Sequence, residues 1–255
     1  MKGLPASTGI VWLKQGFALF RQQPGILMML IFTNLLIGML LSQLPILGTL
    51  IMFAALPSFT MAIQQSCRLI DEGQRVHPKV LMTGFRKESI RPLFKLGLVY
   101  LAIFVVFGLA MYLFLDPAWL KLAQASVEAK KQPVPDRHTM LVISGLMLAL
   151  GLAMLTLAFA PGLTYWKRMP TFKAIFYSVF AVFGSKGPMA VMVAAWLGMF
   201  MAVQMVIGLI FGATSIAQVI VTWFSFIAIL IFHCATYAAY KQILGAPEDG
   251  PEPAK

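Results

Sequence analysis

The sequence predicts an all-α membrane protein: six transmembrane helices arranged as three hairpins, each preceded by a short cytoplasmic interfacial helix. Three observations carry this. Of the 255 residues, 60% are hydrophobic and only 11% charged, against about 25% charged in an ordinary soluble domain, and the mean hydropathy is +0.84. Six apolar segments reach the roughly 20 residues that a helix rising about 1.5 Å per residue needs to cross a bilayer. Before every other segment comes a junction of aromatic and basic residues that ends in proline.

The first junction is "IVWLKQGFALFRQQP". Ile10, Leu13, Phe17 and Phe20 share one helical face, and Lys14, Gln15, Arg21 and Gln22 share another. A secretory signal would place a short basic start directly before an apolar core. This stretch reads instead as an interfacial helix retained in the mature protein.

Spans at about 25–43 and 46–66 form the first hairpin, spans at about 94–115 and 140–163 the second, and spans at about 189–211 and 216–239 the third. Pro24, Pro92 and Pro188 each fall in the first turn of a span, where a missing N–H costs nothing. The junctions "FALFRQQPG", "GFRKESIRP" and "AVFGSKGP" therefore read as three elbows, each feeding a hairpin. The units differ in length, mostly because of the external loop 116–138. There "PAWLKLAQASVEAKK" reads either as a short surface helix or as a solvated linker. Residues 1–245 are expected to form a single transmembrane domain, and the Pro- and Glu-rich tail 246–255 a disordered cytoplasmic extension.

Orientation follows from charge. With the N-terminus inside, sixteen of the 20 Lys and Arg lie on the cytoplasmic side, and only Lys121, Lys130, Lys131 and Arg137 lie outside. The net charge of +11 is thus explained by topology and by anionic lipid headgroups, without invoking nucleic acid. Arg21, Arg86, Lys87, Arg91 and Lys186 are the expected headgroup contacts. Cys67 and Cys234 both fall near cytoplasmic helix ends, so no disulfide is expected.

The central turns of the spans carry no Asp, Glu, Lys or Arg, which argues against a proton relay. The remaining intramembrane polar groups of interest are Asn34, Thr60, Thr164, Gln204 and Thr236. They read either as interhelical hydrogen-bond partners or as the lining of a polar cavity. "PSFT" (Pro57–Thr60), "PGLT" (Pro161–Thr164) and "HCAT" (His233–Thr236) recur in the second helix of each hairpin, and the first two read as proline kinks whose carbonyls a nearby Ser or Thr re-satisfies. Gly145, Ala149 and Ala153 form a small-residue stripe suited to close helix packing.

No catalytic motif is present: G-x-S-x-G, H-E-x-x-H and the P-loop are all missing. Asp71, Glu72, His77 and Glu88, in one cytoplasmic loop, would have to converge on a cleft to act as acids and bases. Met199, Met201 and Met205 read as gap-filling side chains, and the adjacent His233 and Cys234 point about 100° apart. No cofactor or metal is therefore expected.

On "GFALFRQQP", "LSQLPILG", "ALPSFTMA" and the basic "GFRK" loop, the chain resembles an uncharacterised six-span family of proteobacterial inner-membrane proteins with no established activity. The resemblance implies a location in the inner membrane and carries over no catalytic residue. The expected function is non-enzymatic, through interaction or envelope homeostasis, with lipid contacts and a protein partner or self-association. The alternative is a transporter or lipid-handling protein with a cavity between the hairpins.

Overall fold

The computed structural model describes residues 4–117, 119, 136–212 and 214–247. Most of the external loop, and the tail from residue 248, lie outside the described residues. Every element among those described is helical: α1 (Thr8–Gln22), α2 (Pro24–Leu41), α3 (Pro45–Asp71), a 3-10 segment (Pro78–Phe85), α4 (Ile90–Phe114), α5 (Arg137–Thr156), α6 (Ala160–Tyr165), α7 (Thr171–Gly184), α8 (Lys186–Phe211) and α9 (Ser215–Leu244). Six of these paths are long and apolar enough to span a membrane, α5 and α6 together making the fourth.

Pro24 opens α2, and Pro92 and Pro188 occupy the third position of α4 and α8, so all three lie in first turns. The elbows before them are α1, the 3-10 segment and α7. The second elbow is an eight-residue 3-10 segment pressed onto α3, where a Cβ on Gly84 would lie 2.5 Å from the Ser58 Cα.

α1 is more than an interfacial helix. It packs along α9 and α8 on a face made of Thr8, Trp12, Gly16, Leu19 and Phe20. A Cβ on Gly16 would sit 2.6 Å from the Ala235 backbone nitrogen, so only glycine admits this approach. Trp12 is fully buried, and its indole N–H donates to Gln242. Of the apolar face expected from the sequence, Phe20 turns inward, whereas Ile10 and Phe17 are exposed. Lipid accepts those side chains as readily as protein does.

α3 and α9 are the central helices. α3 touches α2, α4, α6, α9 and the 3-10 segment, and α9 touches α1, α2, α3 and α8. Both run past the expected span ends, to Asp71 and Leu244, and the core forms around these extensions. Its largest fully buried side chains include Trp12, Trp166, Tyr237, Tyr240 and Phe159, with the Trp166 ring edge-on to Tyr240 at 4.9 Å. The opposite end is exposed, with Tyr112, Leu113, Leu209 and Ile210 all more than 60% accessible. The molecule is therefore consolidated at the end that carries the elbows.

One expectation is corrected there. Cys67 on α3 and Cys234 on α9 form a disulfide with a Cα–Cα distance of 5.6 Å, both residues having no exposure. Their burial in the core keeps soluble thiols away from the bond. Of the small-residue stripe on α5, Gly145 has nothing beyond its own helix backbone within 4 Å of a built Cβ among the described residues, Ala149 is exposed and Ala153 is half-buried.

Candidate functional site

The two Pro-Thr elements behave differently. α3 continues unbroken through Pro57, whereas the fourth crossing breaks: α5 stops at Thr156, and α6 starts at Ala160, one residue ahead of Pro161. A broken helix inside a membrane must have its freed backbone groups satisfied by neighbouring protein. Three elements do so here. Ser178 on α7, fully buried, donates to the Thr156 carbonyl at 2.7 Å and accepts from the Phe159 N–H at 3.2 Å. The Tyr100 hydroxyl on α4 reaches the Leu157 carbonyl at 3.4 Å, and the Gln64 amide on α3 reaches that of Ala158 at 3.5 Å.

The expected rescue of proline-freed carbonyls by the motif's own Ser or Thr is corrected accordingly. Ser58 donates across to the Gly84 carbonyl at 3.2 Å, fixing the 3-10 elbow. Thr236, in the element without proline, bonds back to the Phe232 carbonyl at 2.9 Å. Thr164 is 3% exposed, and its hydroxyl has no partner among the described residues.

Thr164 leads into the segment that builds the site. Trp166 donates to Gln65 at 2.7 Å, and Lys167 donates to the Leu244 carbonyl at 2.7 Å, capping α9. Arg168 takes a left-handed backbone conformation with φ 48°, uncommon for a residue with a Cβ, and this turns the chain toward α7. The Thr171 hydroxyl then donates to the Pro92 carbonyl at 3.1 Å, tying the start of α7 to the start of α4. Between these starts and the end of α6 lies a crevice of about 340 Å³, lined by Glu88, Ser89, Pro92, Thr164, Tyr165, Arg168, Met169 and Pro170.

Of the five polar residues singled out from the sequence, Thr164 lines this crevice, and Asn34, Thr60, Gln204 and Thr236 do not. Asn34 is half-buried on α2, and its amide oxygen has no partner among the described residues. Gln204 is half-buried on α8. Nor do the four acid–base candidates converge. Asp71 accepts from Tyr237 at 2.9 Å and from Lys241 at 2.6 Å, and Glu72 pairs with Arg68 at 2.7 Å. His77 is exposed, and Glu88 alone of the four lines the crevice.

A probable inner membrane protein of Burkholderia thailandensis is 29% identical to the chain over 255 residues, spanning 96% of this chain and 94% of that protein. No family model and no solved structure matches the chain. Taken with the six apolar helices, the relative decides the class. The chain is a multi-pass inner-membrane protein. The resemblance read from the elbow and loop motifs agrees with that relative, whose description states no activity.

In this inner-membrane protein the headgroup candidates lie together at the elbow end. Arg21, Lys87, Arg91 and Lys186 are exposed, with Arg21 also resting over the Phe17 ring at 5.9 Å. Arg86 is half-buried and, with Arg68 and Glu88, lies within electrostatic reach of Tyr165. Sequence reasoning missed Arg168, Gln64, Tyr100 and Ser178. Only Gln64 carried a local signal, since "QQ" is an unusual pair within an apolar span.

Proposed function

We propose that the protein acts in the envelope without catalysing a reaction, by interaction at the cytoplasmic face of the inner membrane, where its basic elbow end engages lipid headgroups. The carrying observation is how the charged groups divide. Asp71 and Glu72 are held by Lys241, Tyr237 and Arg68, while four exposed cations ring the same end. Paired acids and exposed cations suit binding better than proton transfer.

The positive-inside rule supports reading this end, with the start of α1 and the end of α9, as cytoplasmic. Among the described residues the opposite end carries Arg137 alone of the Lys and Arg. Transport through a pore between the hairpins gains no support from a crevice that only Thr164 of the expected lining residues reaches.

The test is thermal unfolding of the purified protein in nanodiscs with and without anionic lipid. Each exposed cation near a charged surface is worth about 1 kcal/mol, so anionic lipid should raise the unfolding midpoint. The combined variant Arg21→Gln, Lys87→Gln, Arg91→Gln and Lys186→Gln should lose most of that rise. An equal rise in the variant overturns the reading. So does recovery of the protein alone, without partners, from gently solubilised membranes at native expression.

A further inference from the structure

The crevice between α4, α6 and α7 has a chemistry that the reading above does not use. Two helix N-termini open onto it: Ser89 and Pro92 belong to the start of α4, and Pro170 precedes α7. Neither cap residue supplies a side-chain hydrogen bond to its helix, so the positive dipole ends of a 25-residue and a 14-residue helix adjoin the space without side-chain neutralisation. Arg168 adds a full positive charge, and Thr164 adds a buried hydroxyl without a partner among the described residues. That half of the crevice is built for an oxyanion of the phosphate type.

Glu88 lines the same space and faces it with the opposite charge. A simple anion would be repelled by it, whereas a ligand carrying an ammonium a short tether from its phosphate meets both. The volume of about 340 Å³ lies at the low end of small-molecule sites, about 300–1,000 Å³. It admits a headgroup but not acyl chains. Two positions past the lining residues Pro92 and Pro170, Phe94 on α4 and Phe172 on α7 are 50% and 80% exposed, giving apolar surface for chains that remain in the bilayer.

We propose that this crevice binds the zwitterionic headgroup of a phosphatidylethanolamine-class phospholipid, the phosphate at Arg168, Thr164 and the two helix N-termini and the ammonium at Glu88. The proposal deepens the lipid-contact reading and rests on it. It is distinguished from that reading because it concerns selectivity for a zwitterion at one crevice rather than attraction of anionic lipid to the exposed cations.

The experiment is native mass spectrometry of the full chain in detergent, doped in turn with phosphatidylethanolamine, phosphatidylglycerol and water-soluble phosphoethanolamine. The wild type should retain one phosphatidylethanolamine in preference to phosphatidylglycerol. A lost charge-assisted hydrogen bond is worth about tenfold or more in affinity. Glu88→Gln should therefore cut phosphatidylethanolamine retention by about that factor and leave phosphatidylglycerol unchanged.

Arg168→Gly should lower retention of both lipids while folding at least as well, because glycine relieves the left-handed backbone. It separates loss of the ligand from loss of the fold. Unchanged lipid ratios in Glu88→Gln overturn the proposal. Tight retention of soluble phosphoethanolamine, equal to that of the lipid, also overturns it by placing the ligand in solution. A lost midpoint rise in the four-cation variant with intact phosphatidylethanolamine selectivity supports both readings independently.

Discussion

Ser178 shows how much can rest on one side chain that sequence alone does not mark. Its hydroxyl serves two backbone groups at the break, and nothing in "FYSVF" announces a partner twenty residues away. Ser178→Ala leaves the Thr156 carbonyl without its side-chain donor and the Phe159 N–H without an acceptor. Each orphaned buried group costs about 1–3 kcal/mol. The variant should be destabilised by at least about 2 kcal/mol in chemical unfolding from detergent. Ser225→Ala, which removes only a bond back to the Val221 carbonyl, should change little, within about 0.5 kcal/mol. Equal effects would mean that the break is satisfied some other way. Asp136 makes a second residue-scale case. It caps α5 by accepting from the Thr139 N–H at 3.2 Å, and its hydrogen bonds to Thr139 hold its carboxyl below the ordinary carboxylate value of 3.8. Because the folded value is the lower one, the capping contribution is complete above the ordinary value and is lost as pH falls through the lowered one. Protection of the Thr139 amide, measured against its intrinsic exchange rate, should therefore fall as the pH drops below the ordinary range, and in Asp136→Ala it should be low at every pH.

The element scale explains why spans were legible and faces were not. Length and hydropathy mark a membrane-crossing helix because the bilayer imposes both. The same bilayer removes the contrast that separates a buried apolar side chain from an exposed one, since lipid is as apolar as leucine. Ile10 and Phe17 on α1 thus carried a misleading signal, while Gly16 carried the true one through its size. Gly16→Ala would drive a methyl into the Ala235 and Ile231 backbone. Overpacking of this kind costs about 1–3 kcal/mol, so the melting midpoint in detergent should fall, whereas Gly25→Ala on α2, with open space around it, should leave it unchanged. Proline position was legible in the same partial way. Pro24, Pro92 and Pro188 were read correctly as first-turn residues because that rule is local. Whether Pro57 or Pro161 breaks its helix depends on which neighbour can serve the freed carbonyls, and that is a tertiary fact. The crevice was hidden for a related reason: its lining comes from residues 88–92 and 164–170, and no spacing rule joins them.

At the scale of the whole molecule, consolidation at one end makes a prediction about the disulfide. Cys67 and Cys234 stand 167 residues apart, and a cross-link over so long a loop in a soluble chain would be worth roughly 4–5 kcal/mol through the entropy of the unfolded state. In a bilayer the unfolded reference is much smaller, because the helices remain inserted when their packing is lost. The bond should therefore contribute at the low end of the usual range, about 2 kcal/mol. The neighbouring ties are weak by comparison: Lys241 and Asp71, half-exposed and 29% exposed at their side chains, form a pair worth at most about 1 kcal/mol. Alkylation of the denatured, unreduced protein should leave both thiols unlabelled, and prior reduction should add two labels. Cys67→Ser should lower the unfolding midpoint in oxidising buffer, and wild type unfolded with reductant should match it. If the variant and the oxidised wild type unfold together, the covalent tie between α3 and α9 adds nothing beyond the packing of Trp166, Tyr237 and Tyr240 around it. The elbow end would then owe its rigidity to aromatic packing alone.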